Sequence, residues 1–280
     1  MKASLNIDLH THSCRSDGCF TPAELVTRAS AAGIEVLALT DHDTVSGLAD
    51  AGCRAAELGL ALVPGVEISA SWRAQAVHVL GLWIDPASDA LCRELGAQAD
   101  RRWVRMQSLC ARLSELGLPG ASLLAAVRAQ PGLPTRTHLA RALVDAGHAK
   151  DAKDAFRKYL HRGRAAHLNA DWPSLATVIE WIRAAGGVAS LAHLARYGLS
   201  AGARRQLLAD FAGAGGTALE VISGNNTAEQ IDSCARLAAE FGLEGSIGSD
   251  FHDPKLPWNL LGRLAKLPDC VTPVWRSHGL

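Results

Sequence analysis

An α/β barrel carrying an inserted helical segment is the architecture that this 280-residue sequence predicts. Three observations carry the prediction. Short apolar runs alternate with helical stretches in both the first and the last third of the chain, the rhythm of parallel strands joined by right-handed crossovers. These runs end, one after another, in histidine or carboxylate residues, which a closed barrel gathers at one face and an open doubly wound sheet would gather at a single switch point. Between about 100 and 168 the strand signal disappears and only helical periodicity remains.

The first strand runs out through Ile7-Asp8-Leu9-His10-Thr11-His12. Its period of two sends His10 and His12 to one side. Asp17 follows five residues later, before Gly18, a turn pairing that can bring a carboxylate back to the same opening. Alone, His-x-His is weak, because a surface loop can carry two histidines. Thr21-Pro22-Ala23-Glu24 then starts a helix with an N-cap threonine, proline at the first position and a capping-box glutamate, and the helix ends near Gly33. Glu35 to Thr40 reads as a buried parallel strand ending in Asp41-His42-Asp43. A second helix, about Ser46 to Gly59, leads to a strand holding Glu67 between Val66 and Ile68, and Gln75 to Ile84 is the next strand, with His78 in apolar company. A carboxylate and an imidazole on such strands are costly to bury without partners.

After the helical stretch the alternation resumes. It gives a helix over Trp172 to Ala185, a strand from Gly187 to Ala192 ending in His193, and a helix about Ala203 to Ala214. The strand Ala218 to Ile222, a helix Thr227 to Phe241, and a last strand through Gly245 ending in Asp250-Phe251-His252 complete it. That makes about seven strands. The tail with Trp258 and Trp275 is expected to pack on the barrel. Residues 1–99 and 169–280 are thus assigned to the barrel and 100–168 to an inserted helical cap domain.

Formal charge is zero, but it is unevenly spread: residues 100–168 hold 13 Lys+Arg against 5 Asp+Glu, and the remainder 15 against 23. A basic insertion on an acidic body favours an anionic ligand between them. With 48% hydrophobic residues the chain can bury a full core. No apolar run approaches about 18 residues and no basic-then-apolar leader is present, which predicts a soluble, cytoplasmic protein with no membrane and no obligate protein partner. The seven cysteines are scattered without Cys-x-x-Cys spacing, which argues against a disulfide framework or thiolate zinc site.

The set His10, His12, Asp17, His42, Glu67, His78, His193, Asp250 and His252, carried by His-x-His, Asp-His-Asp, Gly-x-Glu and Asp-x-His motifs, resembles the PHP (polymerase and histidinol phosphatase) family. The resemblance implies a distorted (β/α)7 barrel, amidohydrolase-like, with two to three divalent ions. One would be held by His10, His12, Glu67 and Asp250, a second by Glu67, His78 and His193, and a third by Asp17, His42 and His252. An imidazole and carboxylate set without thiolate suits Mn²⁺, Zn²⁺ or Fe²⁺, with Mn²⁺ the first expectation. Catalysis would rest on the metal cluster with its bound hydroxide, and on Glu67, Asp250 and His193. Three divalent ions, offset by three carboxylates and one hydroxide, leave about +2, which matches a phosphate monoester dianion and not an amide.

Arg15 in the first loop and Arg196 after His193 are candidate phosphate contacts. The Thr135-Arg136-Thr137-His138 helix start and the Phe156-Arg157-Lys158-Tyr159-Leu160 segment resemble the PHP subgroup that dephosphorylates nucleoside 3′,5′-bisphosphates and trims short RNA from its 5′ end. That resemblance implies Arg136, His138 and Lys158 as anchors for a second phosphate. Histidinol-phosphate phosphatase is the enzyme alternative, less suited because a cationic substrate would meet a basic insertion. A catalytically silent PHP scaffold or binding protein is the alternative of another class, though such a scaffold would be expected to lose ligands.

Overall fold

The computed structural model describes residues 5–279, apart from 74, 162, 169–170, 225 and 256–258. Trp258, expected to pack with the tail, lies outside the described residues. Seven strands follow one another around a single sheet in chain order: β1 (Ile7–Asp8), β2 (Val36–Leu39), β3 (Ala61–Trp72), β4 (Gln75–Leu82), β5 (Val188–Leu191), β6 (Ala218–Ser223) and β7 (Glu244–Gly248). The edges meet: Leu9 donates to the Ile247 carbonyl at 2.9 Å and Asp250 to the His10 carbonyl at 2.8 Å. A nearly closed barrel results, as the alternation predicted.

One strand departs from the expected parallel pattern. β4 is antiparallel to both β3 and β5, so β3 and β4 form a hairpin where a helical crossover would have been needed for parallel pairing. Only two residues separate the strands, too few for any crossover.

The helices α1 (Pro22–Ala31), α2 (Leu48–Leu58), α7 (Leu175–Ala184), α8 (Ala201–Gly213) and α9 (Ala228–Glu240) connect the remaining strands. Thr21 caps α1 in a capping box with Glu24 and proline at N1, as its sequence dictates. Apolar stripes such as Leu25, Val26 and Ala29 on α1 and Val178, Ile179 and Ile182 on α7 close the barrel core.

The long helix α3 (Asp89–Glu115) runs through the boundary expected near residue 100 without a break. Its first half contributes Leu91 and Leu95 to the barrel core. Its second half contributes Met106, Leu109, Cys110 and Leu113 to a separate apolar cluster shared with α4 (Gly120–Arg128) and α5 (Arg136–Asp145). A short α6 (Ala152–Ala155) continues into one π-helical turn over Phe156–Leu160, and the chain then returns to the barrel. Among the described residues no helix is long and apolar enough to cross a membrane.

Candidate metal centre

Strand ends build the barrel mouth. Past β1, the Nε2 atoms of His10 and His12 lie 3.1 Å apart. The following loop turns sharply, because a Cβ on Gly18 would stand 2.2 Å from the His12 carbonyl oxygen; glycine lets Asp17 fold back. Asp41 fixes the loop by accepting from the Ser13 amide, the Ser13 hydroxyl and the Ser16 hydroxyl at 2.6–2.8 Å.

Glu67 on β3 is central. One carboxylate oxygen lies 2.9 Å from both His78 Nδ1 and His193 Nε2 and 3.5 Å from His10 Nε2. The other lies 2.8 Å from His42 Nδ1 and 3.5 Å from His12 Nε2. His78 reaches the mouth from the middle of β4, where the hairpin brings it opposite Ser69. Asp250 Oδ1 is 3.1 Å from His12 Nε2 and 3.3 Å from His10 Nε2, and Asp17 Oδ1 is 3.2 Å from His252 Nε2 and 3.8 Å from His42 Nε2. All nine residues singled out in the sequence therefore converge.

Atoms able to share one ion group as His10, His12 and Glu67; His42, Glu67 and His78; and His12, Asp17, His42 and His252. That partition differs from the one the family resemblance implies, in which His42 serves only with Asp17 and His252. Glu67 offers two oxygens to five imidazoles, so more than one division of the same nine residues fits. Asp17 Oδ1 and Glu67 Oε2 are buried and make no well-aligned hydrogen bond, their nearest polar neighbours being imidazole nitrogens of the cluster itself, His252 Nε2 at 3.2 Å and His42 Nδ1 at 2.8 Å. Buried oxygens left unmet are costly, and a divalent cation satisfies them. Neither the cluster nor its partners include a thiol.

Burial opposes charge on Glu67, Asp250, Asp17, His252 and His12, and the neighbours decide which of them keep it. Burial raises the Glu67 pKa, yet His42, His78 and His10 hold the carboxyl well below the usual range. Asp250 is likewise depressed against burial by Arg196, His10 and His252, and Asp17 by His252 and His42. Burial lowers His252, but Asp17 and Asp250 lift it to about 9. His12 falls to about 3 through burial and the adjacent His252.

A cavity of about 470 Å³ opens over this cluster. Asp17, His42, His78 and His193 line it from the barrel, and Arg102, Arg105, Arg136 and Phe156 from the insertion, with Trp172 beside Arg105. Thr135, the N-cap of α5, donates to Asp17 Oδ2 at 2.8 Å, tying the insertion to the first loop. Arg102 is committed to structure: it donates to Asp43 at 2.6 Å and to the Ser69 hydroxyl at 2.9 Å. Arg105 keeps one buried guanidinium nitrogen without a partner. Its pKa drops to about 10 through burial and the nearby Arg136 and Arg102. Burial and Arg102 also lower Arg136.

Of the expected substrate contacts, Arg136 and Arg196 line the cavity, the latter bonded to Asp250. The other three do not. Arg15 pairs with Asp50 at 2.8 Å on the outer surface. His138 is buried as the fourth member of a capping box, accepting from the Thr135 amide at 3.1 Å with its other nitrogen 3.0 Å from the Pro131 carbonyl. Lys158 pairs with Asp154 at 2.7 Å, one helical turn away. Each has a nearer local partner than the cavity. Arg105, Trp172 and Glu220, absent from the sequence reading, are in the site or against it. Glu220 Oε1 lies 2.8 Å from His10 Nδ1; a carboxylate inside an otherwise apolar strand was the available signal, the same one that marked Glu67.

Comparison with known proteins accords with this geometry. A 3′,5′-nucleoside bisphosphate phosphatase of Chromobacterium violaceum is 41% identical over 274 residues, covering 97% of this chain and 96% of its own. A 5′-3′ exoribonuclease of Haemophilus influenzae is 42% identical over 270 residues, covering 96% and 98%. A solved structure of an amidohydrolase from Chromobacterium violaceum, with bound sulfate, superposes with a TM-score of 0.91 at 40% identity, covering 97% of this chain and 95% of that one. The model of the PHP domain matches residues 8–166. With the barrel, the nine converging ligand-type residues and relatives matched along nearly their whole length, the chain belongs to the PHP domain family.

Proposed function

We propose that the chain is a metal-dependent phosphoesterase that removes the 3′-phosphate of nucleoside 3′,5′-bisphosphates, leaving the 5′-monophosphate, and that it also trims short 5′-phosphorylated RNA. One observation carries the reading: a single cavity is lined both by a cluster of metal-ligand type and by the partly buried Arg105 and Arg136 of the insertion. That is a place for two anionic groups on one small molecule. The names of the relatives point to the same substrates.

The ion ligands in this reading are His10, His12, Asp17, His42, Glu67, His78, His193, Asp250 and His252. Bound divalent ions, Mn²⁺ first among the candidates, supply Lewis-acid charge and acidify water. The chain's own groups do the rest. Arg105 and Arg136 hold the 5′-phosphate, a use that relieves their mutual repulsion and desolvation. Arg196, held by Asp250, presents its guanidinium to the reacting phosphate. Phe156 and Trp172 offer aromatic faces to the nucleoside. Residues 100–168 act as a cap that keeps both phosphates in one enclosure. The scattered, unpaired cysteines suit a reducing compartment, and we place the enzyme in the cytoplasm.

The test is phosphate release with added Mn²⁺ from adenosine 3′,5′-bisphosphate and from histidinol phosphate. The bisphosphate is expected to be turned over and histidinol phosphate to lag by at least tenfold. The opposite order would assign the chain to the amine substrate, and no release from either would leave a binding scaffold.

A further inference from the structure

Every strand of the barrel except β6 sends a group of metal-ligand type to the mouth or its rim. β6 carries instead Glu220, whose side chain is completely shielded from solvent and does not line the cavity. Both of its oxygens are engaged. Oε1 lies 2.8 Å from His10 Nδ1, and Oε2 accepts the backbone N–H of His193 at 2.6 Å. His193 has φ +32°, in the left-handed region that residues with a Cβ avoid, so its backbone is held there by its surroundings. Gly248 on β7 leaves the room: a Cβ there would stand 2.2 Å from His10 Cβ and 2.9 Å from Glu220 Oε1.

We propose that Glu220 is the positioning residue of the metal centre, one buried carboxylate that sets both the ring of His10 and the backbone of His193. The inference rests on the metal reading above. By accepting the proton of His10 Nδ1, Glu220 leaves His10 Nε2 as the lone-pair nitrogen. Nε2 is the atom that faces His12, Glu67 and Asp250 at 3.1–3.5 Å. A histidine ligand needs its free lone pair toward the ion and its other nitrogen held, and a carboxylate does both. By accepting the His193 amide, the same group fixes the turn that places His193 Nε2 2.9 Å from Glu67. His10 and His193 serve different ion positions in the arrangement the family resemblance implies, so Glu220 couples the two.

The chemistry of the carboxylate makes the assignment testable by an isosteric change. A carboxylate can accept from two donors, whereas an amide has one accepting and one donating end. Glu220→Gln must therefore set an N–H against either His10 Nδ1–H or the His193 amide, or drive His10 into the tautomer whose Nε2 carries the proton. Glu220→Gln should keep its fold by circular dichroism and bind Mn²⁺ about 10- to 100-fold more weakly by calorimetric titration, the range typical of groups that orient a metal ligand. Raising Mn²⁺ should restore much of kcat, with KM for the bisphosphate little changed. A second measurement does not depend on the variant folding. In ¹⁵N-histidine spectra of the zinc-loaded wild type, with the His10 signals assigned by His10→Asn, Nδ1 should carry the proton and Nε2 show the metal shift. Wild-type Mn²⁺ affinity in the Gln variant, or a proton on His10 Nε2 in the zinc form, would overturn the assignment. A wild type that binds no divalent ion at all would instead overturn the metal reading beneath it.

Discussion

Replacing Arg105 by Met is expected to stabilise the protein and impair the enzyme at once. Arg105 follows Arg102 by one helical turn, leaves a buried nitrogen unpaired, and has its pKa drawn down from the ordinary guanidinium range to about 10 by burial and by Arg136 and Arg102. At about 1.36 kcal/mol per pKa unit the shift corresponds to about 3 kcal/mol against the charged form. The side chain is only partly buried, so solvent screening reduces this to about 1–2 kcal/mol. The folded chain holds this proton less tightly than the unfolded chain. The penalty is therefore full at neutral pH and is relieved only as pH rises from about 10 toward the ordinary guanidinium range. Met keeps the stem and removes the charge, so the thermal midpoint at pH 7 should rise by about 2–6 °C, taking about 2–3 °C per kcal/mol for a chain of this size. With the bisphosphate bound, the same cation faces a phosphate, and losing a desolvated charged partner costs about 2–5 kcal/mol. We expect kcat/KM for adenosine 3′,5′-bisphosphate to fall by about 30-fold or more, while an aryl phosphate changes by less than about threefold. Scanning calorimetry and phosphate release on the two substrates measure both arms. A lowered midpoint, or equal loss on both substrates, would show that Arg105 is a structural strut and refute the anchor argument.

Glu67→Ala should cost most of the bound metal and nearly all turnover, because its two oxygens meet five imidazoles; full occupancy by elemental analysis would contradict its central role. Arg136→Ala should depress bisphosphate turnover at least tenfold and spare an aryl phosphate, since it lines the cavity from the insertion; parallel losses would make it structural. Asp43→Ala strands the buried Arg102 and should destabilise the fold by about 3–5 kcal/mol in urea titration, whereas an unchanged midpoint would mean that Arg102 repacks freely. KM for the bisphosphate should climb as salt rises from 50 to 500 mM, roughly severalfold, and a salt-independent KM would argue against an arginine wall.

The legible part of the site was the part marked by chemistry at strand ends. His10, His12, His42, His193 and His252 stand out because histidine beside apolar strand residues has few structural uses, and all five converge with Asp17, Glu67, His78 and Asp250. Strand direction was not legible: an apolar run reads the same both ways, and the two-residue gap between Trp72 and Gln75 that forces a hairpin is visible only once the strand ends are placed. Lys158 and His138 lie away from the cavity for a different reason. A basic residue near a motif invites assignment to substrate, yet Lys158 has Asp154 four residues before it, an ordinary helical ion pair. Thr135-x-x-His138 likewise has the spacing of a capping box. Arg105 carries no local mark, because its environment is made by Arg136 and Trp172, which come from 31 and 67 residues further along the chain.

The reversed strand also explains the cap. Parallel strands leave their C-terminal ends at the mouth, so a chain leaving an ordinary strand would start its next helix there. β4 begins at the mouth, beside the end of β3, and finishes at the opposite end with Leu82. The chain must then climb the barrel before it can cover the cluster. α3 supplies that climb: from Asp89 to Arg102 it rises about 20 Å at about 1.5 Å per residue, and there Gln98 donates to the Ser69 carbonyl at 2.9 Å and Arg102 to Asp43 at 2.6 Å. The next two turns pass the mouth and hand Arg105, Met106 and Leu109 to the cavity wall. The reversal thus brings His78, midway along β4, to the cluster and sends α3 upward past the mouth, which is why barrel and insertion share one uninterrupted helix instead of meeting at a linker. A hinge there would let the arginine wall move relative to the cluster. The continuous helix, clamped by Gln98 and Arg102 at the rim, ties the arginines of the insertion to the barrel without a linker.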